Sequence, residues 1–120
     1  MTTLIKNQIN SKGQIIKTPF SFSKALNLLK KGEPVRRRCW PKEARVVYQK
    51  GYPDGIPCNK NTSEAWGIEE GTLFRCAPYL QISTEGTHVM WTPGNLDLFA
   101  DDWELATDKE LTKDSLNFLR

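Results

Sequence analysis

The sequence predicts an α+β fold in which one N-terminal helix packs on a small antiparallel β-sheet. Apolar residues repeat at helical spacing near the start of the chain, and from Val35 onward they follow the two-residue alternation of strands. The dipeptide Glu85-Gly86 is a good turn for a hairpin between two such strands. A length of 120 residues suits one domain, and no internal repeat indicates a second.

The predicted helix covers residues 22–31. Ser21 is its expected N-cap, because the serine hydroxyl can accept a hydrogen bond from a free backbone N–H. Gly32 is the expected stop residue. The apolar stripe that would face the sheet consists of Phe22, Ala25, Leu26 and Leu29. Residues 1–19, which precede the helix, are expected to form a largely polar N-terminal extension.

The strands are predicted from alternation and from β-branched and aromatic residues. The first two, residues 35–40 and 45–49, are expected to pair antiparallel across a turn at Pro41 and Lys42. The later strands are expected at residues 72–76, 79–83, 87–91 and 103–106. Residues 50–71 are rich in glycine and proline, and they are predicted to form a long loop with a helical turn near residues 63–66. Residues 107–120 are expected to form a polar C-terminal tail.

Composition argues against several classes of function. A net charge of +3 is mild and does not by itself indicate nucleic-acid binding. The three cysteines lack CxxC spacing and accompany a single histidine, so we expect neither a metal site nor a complete disulfide pairing. No stretch has signal-peptide or membrane-spanning character, so we expect a cytoplasmic protein. P-loop, GxGxxG, HExxH and GxSxG motifs are missing from the sequence, and we therefore expect neither an enzyme nor a cofactor.

The most informative segment for function covers residues 91–103. Thr92 followed by Pro93 suits an N-cap and a first helical position, where free backbone N–H groups can hold a ligand oxygen. Asn95 and Asp97 offer hydrogen-bonding groups at the same end, and Asp97 suits ribose hydroxyls or a base edge better than phosphate. Local physics favours the alternative that both side chains satisfy the amides of their own turn. The apolar residues of the segment, expected in the core, are Leu96, Leu98, Phe99 and Trp103.

Two further segments combine arginine with aromatic side chains. In the predicted strand 35–40, alternate residues would share one face, so that two guanidinium groups beside an indole could bind a phosphate and stack a base. An exposed basic strand with the indole packed on the sheet is an equally good interpretation. In the second segment ordinary strand packing is favoured over a nucleotide-stacking surface. The residues are Arg36, Arg38 and Trp40 in the first segment and Phe74, Arg75 and Tyr79 in the second.

Taken in order, these segments resemble a known phage family, the second type of Thoeris anti-defence protein. The resemblance covers roughly residues 20–106. The matching stretches are FSKAL at 22–26, LKKG at 29–32, VRR at 35–37 with Trp40, PYL at 78–80, EGT at 85–87 and WTPGNLDLFADDWE at 91–104. The closing stretch at 91–104 is the most specific of these. The opening helix is less specific, because many helices end in Lys-Lys-Gly.

The resemblance implies a sponge, a non-enzymatic protein of the host bacterial cytoplasm that binds nucleotide immune signals without cleaving them. The signals would be cyclic ADP-ribose isomers made by TIR-domain enzymes and, for some relatives, cyclic dinucleotides. The resemblance also implies a homotetramer with ligand pockets between protomers, and residues 20–106 would be the ligand-binding domain. The ligand-binding residues expected from the resemblance and the local patterns together are Arg38, Trp40, Phe74, Arg75, Tyr79, Thr92, Asn95 and Asp97.

The runner-up hypothesis is a phage accessory protein that binds nucleic acid or another partner. Its basis is the cluster of basic residues Arg36, Arg37, Arg38 and Arg45. Salt dependence separates the two hypotheses, because binding to a phosphate backbone weakens steeply as salt rises.

Overall fold

The computed structural model describes residues 5–107 and shows a fold that is mostly β-structure. This part of the chain contains nine strands in three sheets and three short helices. The expected single helix on one small sheet is therefore wrong. The error lies in the polar N-terminal segment and in the glycine-rich middle, because both form hairpins although neither shows a clear two-residue alternation.

The elements follow one another in chain order with short connections. They are β1 (Lys6–Ile9), β2 (Ile15–Thr18), α1 (Phe22–Lys30), β3 (Val35–Arg37), β4 (Arg45–Gln49), β5 (Tyr52–Pro57), α2 (Lys60–Trp66), β6 (Leu73–Cys76), β7 (Tyr79–Thr84), β8 (Thr87–Trp91), α3 (Asn95–Phe99) and β9 (Trp103–Leu105). The described chain divides into two compact units, one formed by residues 5–48 and 80–107 and the other by residues 49–79. None of the helices within residues 5–107 is long and apolar enough to cross a membrane.

The first unit is built around a five-stranded sheet with the order β8-β7-β4-β3-β9. Helix α1 contributes to the core beside this sheet, and its boundaries agree with the sequence prediction. The Ser21 hydroxyl accepts from the backbone N–H of Lys24, and Gly32 has a φ of +92° just past the end of the helix. The buried core consists of Phe20, Phe22, Ala25, Leu28, Leu29, Val35, Val46, Trp103 and Leu105.

An N-terminal hairpin lies within the expected extension. Strands β1 and β2 pair antiparallel from Lys6↔Thr18 to Ile9↔Ile15. The side chain of Gln8 is fully buried, which is unusual for a polar residue. Its amide is satisfied by the backbone of Leu105: Gln8 Oε1 accepts from the N–H at 2.8 Å, and Gln8 Nε2 donates to the C=O at 3.1 Å. The predicted C-terminal tail, residues 107–120, lies outside the described residues apart from Thr107.

The second unit replaces the long loop predicted for residues 50–71. Strands β5 and β6 pair antiparallel, and their register shifts between Tyr52 and Ile56. Helix α2 is longer than the expected turn at 63–66. It begins at the N-cap Asn59, whose side chain accepts from Thr62, and it ends at Gly67 in the left-handed conformation. Strand β5 is not predicted from the sequence, because the proline and glycine residues of its YPDGIP segment normally weaken a strand.

Candidate ligand-binding site

Trp40 lies at the margin of an aromatic cluster in the first unit. Its ring centroid lies 6.0 Å from that of Trp91 and 5.3 Å from that of Trp103, both in edge-to-face geometry. Phe22 packs on Trp103 from α1, with ring centroids 5.4 Å apart. Trp103 is fully buried, whereas Trp40 and Trp91 are only half-buried. Part of the Trp40 indole is therefore exposed, and two other indoles pack against it at steep interplanar angles.

The strand that was expected to carry Trp40 ends earlier than predicted. Strand β3 stops at Arg37, and the backbone N–H of Trp40 donates to the Arg37 carbonyl, which closes a turn. Pro41 disfavours a helical continuation at the residue before it and fixes the chain direction there. The expectation that Arg36, Arg38 and Trp40 lie on one strand face is therefore wrong.

Helix α3 begins two residues later than expected. Gly94, and not Thr92, is its N-cap, and the Asp97 Oδ2 atom accepts from the Gly94 N–H at 2.9 Å. A carboxylate three residues into a helix is well placed to reach back to the N-cap in this way. The side chains of Thr92 and Asn95 are exposed and make no hydrogen bond within residues 5–107. Both are therefore available to an external polar group.

Trp40 lies close to this segment through its two tryptophan neighbours. Trp91 immediately precedes Thr92, and the Trp103 indole N–H donates to the Asp97 carbonyl at 3.0 Å. Both indoles against which Trp40 packs are thus fixed to the two ends of residues 92–97. Through Trp91 and Trp103, Trp40 is thus linked to the segment that carries Thr92, Asn95 and Asp97, which makes four of the eight predicted ligand residues.

Arg37 ties the candidate site to the sheet. Its Nε donates to Asp102 Oδ1 at 2.9 Å, and its Nη1 lies 3.4 Å from Asp97 Oδ1. The hydrogen bond that Arg37 donates to the Asp102 carboxylate raises the pKa of Arg37 above its ordinary value, so this side chain remains charged under all physiological conditions. Asp97 therefore caps its own turn and pairs with a neighbouring cation, as the alternative favoured by local physics predicts for this residue. The same alternative is not met by Asn95, whose side chain makes no such hydrogen bond within residues 5–107.

Arg36 and Arg38, which flank Arg37 in the sequence, share the carboxylate of Glu104. Glu104 accepts from Arg36 Nε at 2.9 Å and from Arg38 Nε at 3.1 Å, and Lys6 Nζ lies 3.7 Å away. Arg38 also donates to the Thr18 hydroxyl. Arg36 and Glu104 are both at least nine-tenths buried. The Arg36–Arg38 stretch is thus engaged within the protein, and it does not form the open basic strand that the runner-up hypothesis requires.

The three remaining predicted residues belong to the second unit. Phe74 is half-buried opposite Ile56 in the β5–β6 pair, and the neighbouring Arg75 is exposed. Tyr79 is half-buried at the start of β7. Phe74 and Arg75 follow one another on a strand and so point to opposite faces, which separates the aromatic ring from the guanidinium group.

Several residues of the site could not be identified from sequence alone. Trp91 and Glu104 carry no local signal for their roles, although they hold Trp40 and two arginines. The expectation that Leu96, Leu98 and Phe99 are core residues is wrong, because they are 82%, 43% and 83% exposed. Helix α3 has only five residues and is anchored through Asp97, so its apolar side chains remain at the surface.

The described chain also has a cavity apart from these residues, and it has no cluster of metal ligands. A cavity of about 250 Å³ lies in the first unit beside Ser11, Glu33 and Arg45, and none of the eight predicted ligand residues lines it. Glu33 is buried there and already accepts from the N–H and the hydroxyl of Ser11. Within residues 5–107, no group of three or more His, Cys, Asp or Glu side chains is arranged to hold a metal ion.

The model of the Thoeris anti-defense 2-like domain matches residues 20–106. The chain belongs to this family. The match confirms the resemblance drawn from the sequence motifs, over the same residues, and it supports a phage anti-defence role. The anti-defense 2-like family is compatible with a non-enzymatic role. A comparison with curated proteins finds no match.

Proposed function

We propose that the protein is a phage anti-defence sponge that binds a cyclic ADP-ribose-type immune signal and holds it without cleavage. Cyclic dinucleotides are a second class of ligand for the same activity. The protein acts in the cytoplasm of the host bacterium as a homotetramer with ligand pockets between protomers. The observation that carries this proposal is the half-buried Trp40, linked through Trp91 to the exposed Thr92 and Asn95 side chains, which have no partner among residues 5–107, within a domain of an anti-defence family.

A partly exposed indole that is packed against two other rings is suited to stacking on a nucleobase. Trp91 and Trp103 meet Trp40 in edge-to-face geometry and fix the orientation of its ring. Base–aromatic stacking contributes about 1–3 kcal/mol and tolerates different bases. Preorganisation of the ring lowers the entropy that binding would otherwise cost.

Polar recognition is assigned to the start of α3. Thr92 and Asn95 are exposed and can hydrogen-bond ribose hydroxyls or a base edge. Asp97 serves mainly as a positioning residue, because its two oxygens accept from Gly94 and pair with Arg37. Arg38 has the same supporting character through Glu104.

The second unit supplies the remaining candidates. Arg75 is exposed and carries a guanidinium group suited to phosphate, and Phe74 and Tyr79 offer half-buried rings. Arg75, Phe74 and Tyr79 would contact the ligand that stacks on Trp40 in a tetramer whose assembly places them in the same pocket. Their contribution is therefore tested after that of Trp40 and Asn95.

The proposal is tested by ligand retention. The purified protein is incubated with a panel of cyclic ADP-ribose isomers and cyclic dinucleotides, washed, and denatured by heat, and the released compounds are identified by mass spectrometry. A sponge returns one class of compound intact and in stoichiometric amount. Release of a cleaved product would indicate an enzyme instead, and no retention of any member of the panel would reject the sponge.

A further inference from the structure

The five-stranded sheet of the first unit has two edge strands, β9 and β8, and β9 is closed along its outer side. Phe20 and Trp103 exchange two backbone hydrogen bonds, of 2.9 and 3.1 Å. The next outward-facing position, Leu105, has its N–H and its C=O satisfied by the side chain of Gln8. A second strand cannot add to β9, because its outward polar groups are already used.

Strand β8 is open along its outer side. It pairs with β7 in an uninterrupted register from Thr84↔Thr87 to Leu80↔Trp91, across a two-residue turn. In a hairpin of this type the residues beside the turn exchange hydrogen bonds, and alternate residues then point their backbone groups away from the partner. The backbone N–H and C=O groups of His88 and Met90 therefore point outward, and no backbone partner for either is found in the part of the chain that the structure describes.

The side chains of β8 do not protect this edge. Proteins usually guard an open edge with charges, prolines, bulges or a very short strand. The sequence THVMW contains no Asp, Glu, Lys, Arg or Pro, and its register with β7 has no bulge. Val89 is 52% exposed and Met90 is 74% exposed. The edge is thus an unbulged and partly apolar template for another strand.

We propose that β8 pairs antiparallel with β8 of a second copy of the chain. A twofold axis through Val89 gives complete overlap of the two five-residue strands, with His88 opposite Met90 of the partner subunit. The four outward backbone groups of each strand then form four hydrogen bonds, and the two five-stranded sheets become one continuous sheet. Because β8 contains no Asp, Glu, Lys or Arg and each His88 lies opposite a Met90, self-pairing sets no two ionisable side chains opposite each other. One identical patch on both copies is also the usual form of a twofold interface.

This interface would be one of those in the proposed homotetramer, and in that respect it rests on the proposed function. It involves neither Trp40 nor Asn95, so interface and ligand binding can be measured separately. The geometry of the pair supplies a sharp test. Val89 and the partner's Val89 form a non-hydrogen-bonded pair with a Cα–Cα distance of about 4.5 Å, within the range that a disulfide spans.

The experiment uses Val89→Cys in a Cys39→Ser background, because Cys39 is an exposed thiol of the native chain. The matched control is Thr87→Cys in the same background. Thr87 is exposed on the same face of β8, but in the proposed register it lies about 14 Å from its counterpart along the strand direction. Both proteins are oxidised at micromolar concentration, and the covalent dimer is quantified by non-reducing electrophoresis.

Val89→Cys is expected to form covalent dimer at least tenfold faster than Thr87→Cys. The molar mass of the Val89→Cys assembly, measured by light scattering, is expected to equal that of the native protein. Equal rates, or no dimer from Val89→Cys, would overturn the β8–β8 pairing. Ligand retention is measured on the same samples. Retention without cross-linking would remove the interface and leave the sponge, whereas cross-linking without retention would support the interface and count against the sponge.

Discussion

Trp40 and Trp103 are neighbouring tryptophans that differ in burial. The two rings touch, yet Trp103 has no exposed surface and Trp40 remains half-open. Trp103 also donates its indole N–H to the Asp97 carbonyl, as buried tryptophans usually require. Truncating the two side chains should therefore affect different properties of the protein.

Trp40→Ala should weaken nucleotide binding by about 1–3 kcal/mol, because the stacked base loses its platform. The loss of melting temperature should be smaller than for Trp103→Ala, which removes a fully buried ring and should cost about 3–5 kcal/mol of stability. Calorimetric titration and thermal unfolding separate the two effects. Trp66→Ala is the matched control, because that indole is 79% exposed in the second unit. Normal affinity in folded Trp40→Ala would eliminate the stacking role.

Asn95→Ala should lower affinity by about 0.5–1.5 kcal/mol, the usual contribution of one hydrogen bond. Its side chain is exposed and has no partner in the described chain, so the free energy of unfolding should change by less than about 0.5 kcal/mol. Isothermal titration calorimetry measures the first quantity and denaturant unfolding the second.

Asp97→Asn should behave in the opposite way. The substitution keeps an oxygen for Gly94 but removes the charge that faces Arg37, so it should lower stability by about 1 kcal/mol and reduce affinity less than Asn95→Ala does. The two quantities are measured as for Asn95→Ala. A larger loss of affinity in Asp97→Asn, with stability intact, would instead make its carboxylate a direct ligand contact.

At the scale of elements, the N-terminal hairpin binds the outer side of β9 through hydrogen bonds between Gln8 and the backbone of Leu105. Gln8→Ala would leave the Leu105 N–H and C=O buried without partners, and each unsatisfied group costs about 1–3 kcal/mol. Denaturant unfolding should show this loss. Lys17→Ala, at an exposed position on the same hairpin, is the control and should change stability little. An unfolding midpoint for Gln8→Ala equal to that of the control would show that the hairpin does not stabilise β9.

The elements that the sequence predicts well are those with strong local signals. Helix α1 has an N-cap, an apolar stripe and a terminal glycine, and β8 follows a turn whose two residues both have positive φ. Strand β5 has none of these signals, since its prolines and glycine are typical of a loop. Its pairing with β6 depends on the fold of the unit as a whole.

The candidate site was only partly predictable for a similar reason. Trp40 and Asn95 could be selected because aromatic and amide groups have an intrinsic ligand chemistry. The engagement of the arginines could not, because Arg36 meets Glu104 across 68 positions of the chain. Sequence patterns describe what a side chain can do, whereas distant partners decide whether it is free to do it.

At the scale of the whole molecule, the net charge of +3 should have little influence on ligand binding. Arg36, Arg37 and Arg38 are neutralised by Glu104, Asp97 and Asp102, so they offer no continuous basic track. Nucleotide affinity should therefore change by less than about tenfold between 50 and 200 mM salt. A protein that contacts many phosphates of a nucleic acid loses about 10³–10⁵-fold over the same range. Titration at several salt concentrations decides between these behaviours.

The tryptophan cluster has an optical consequence. Trp40, Trp91 and Trp103 have ring centroids 5.3–6.1 Å apart, close enough for the excited states of the three indoles to couple. Such coupling produces paired bands of opposite sign in the ultraviolet circular dichroism spectrum, and their shape depends on the relative orientation of the rings. A base that stacks on Trp40 would perturb one member of this coupled set. The protein therefore carries its own unlabelled spectroscopic reporter of occupancy at the margin of its core.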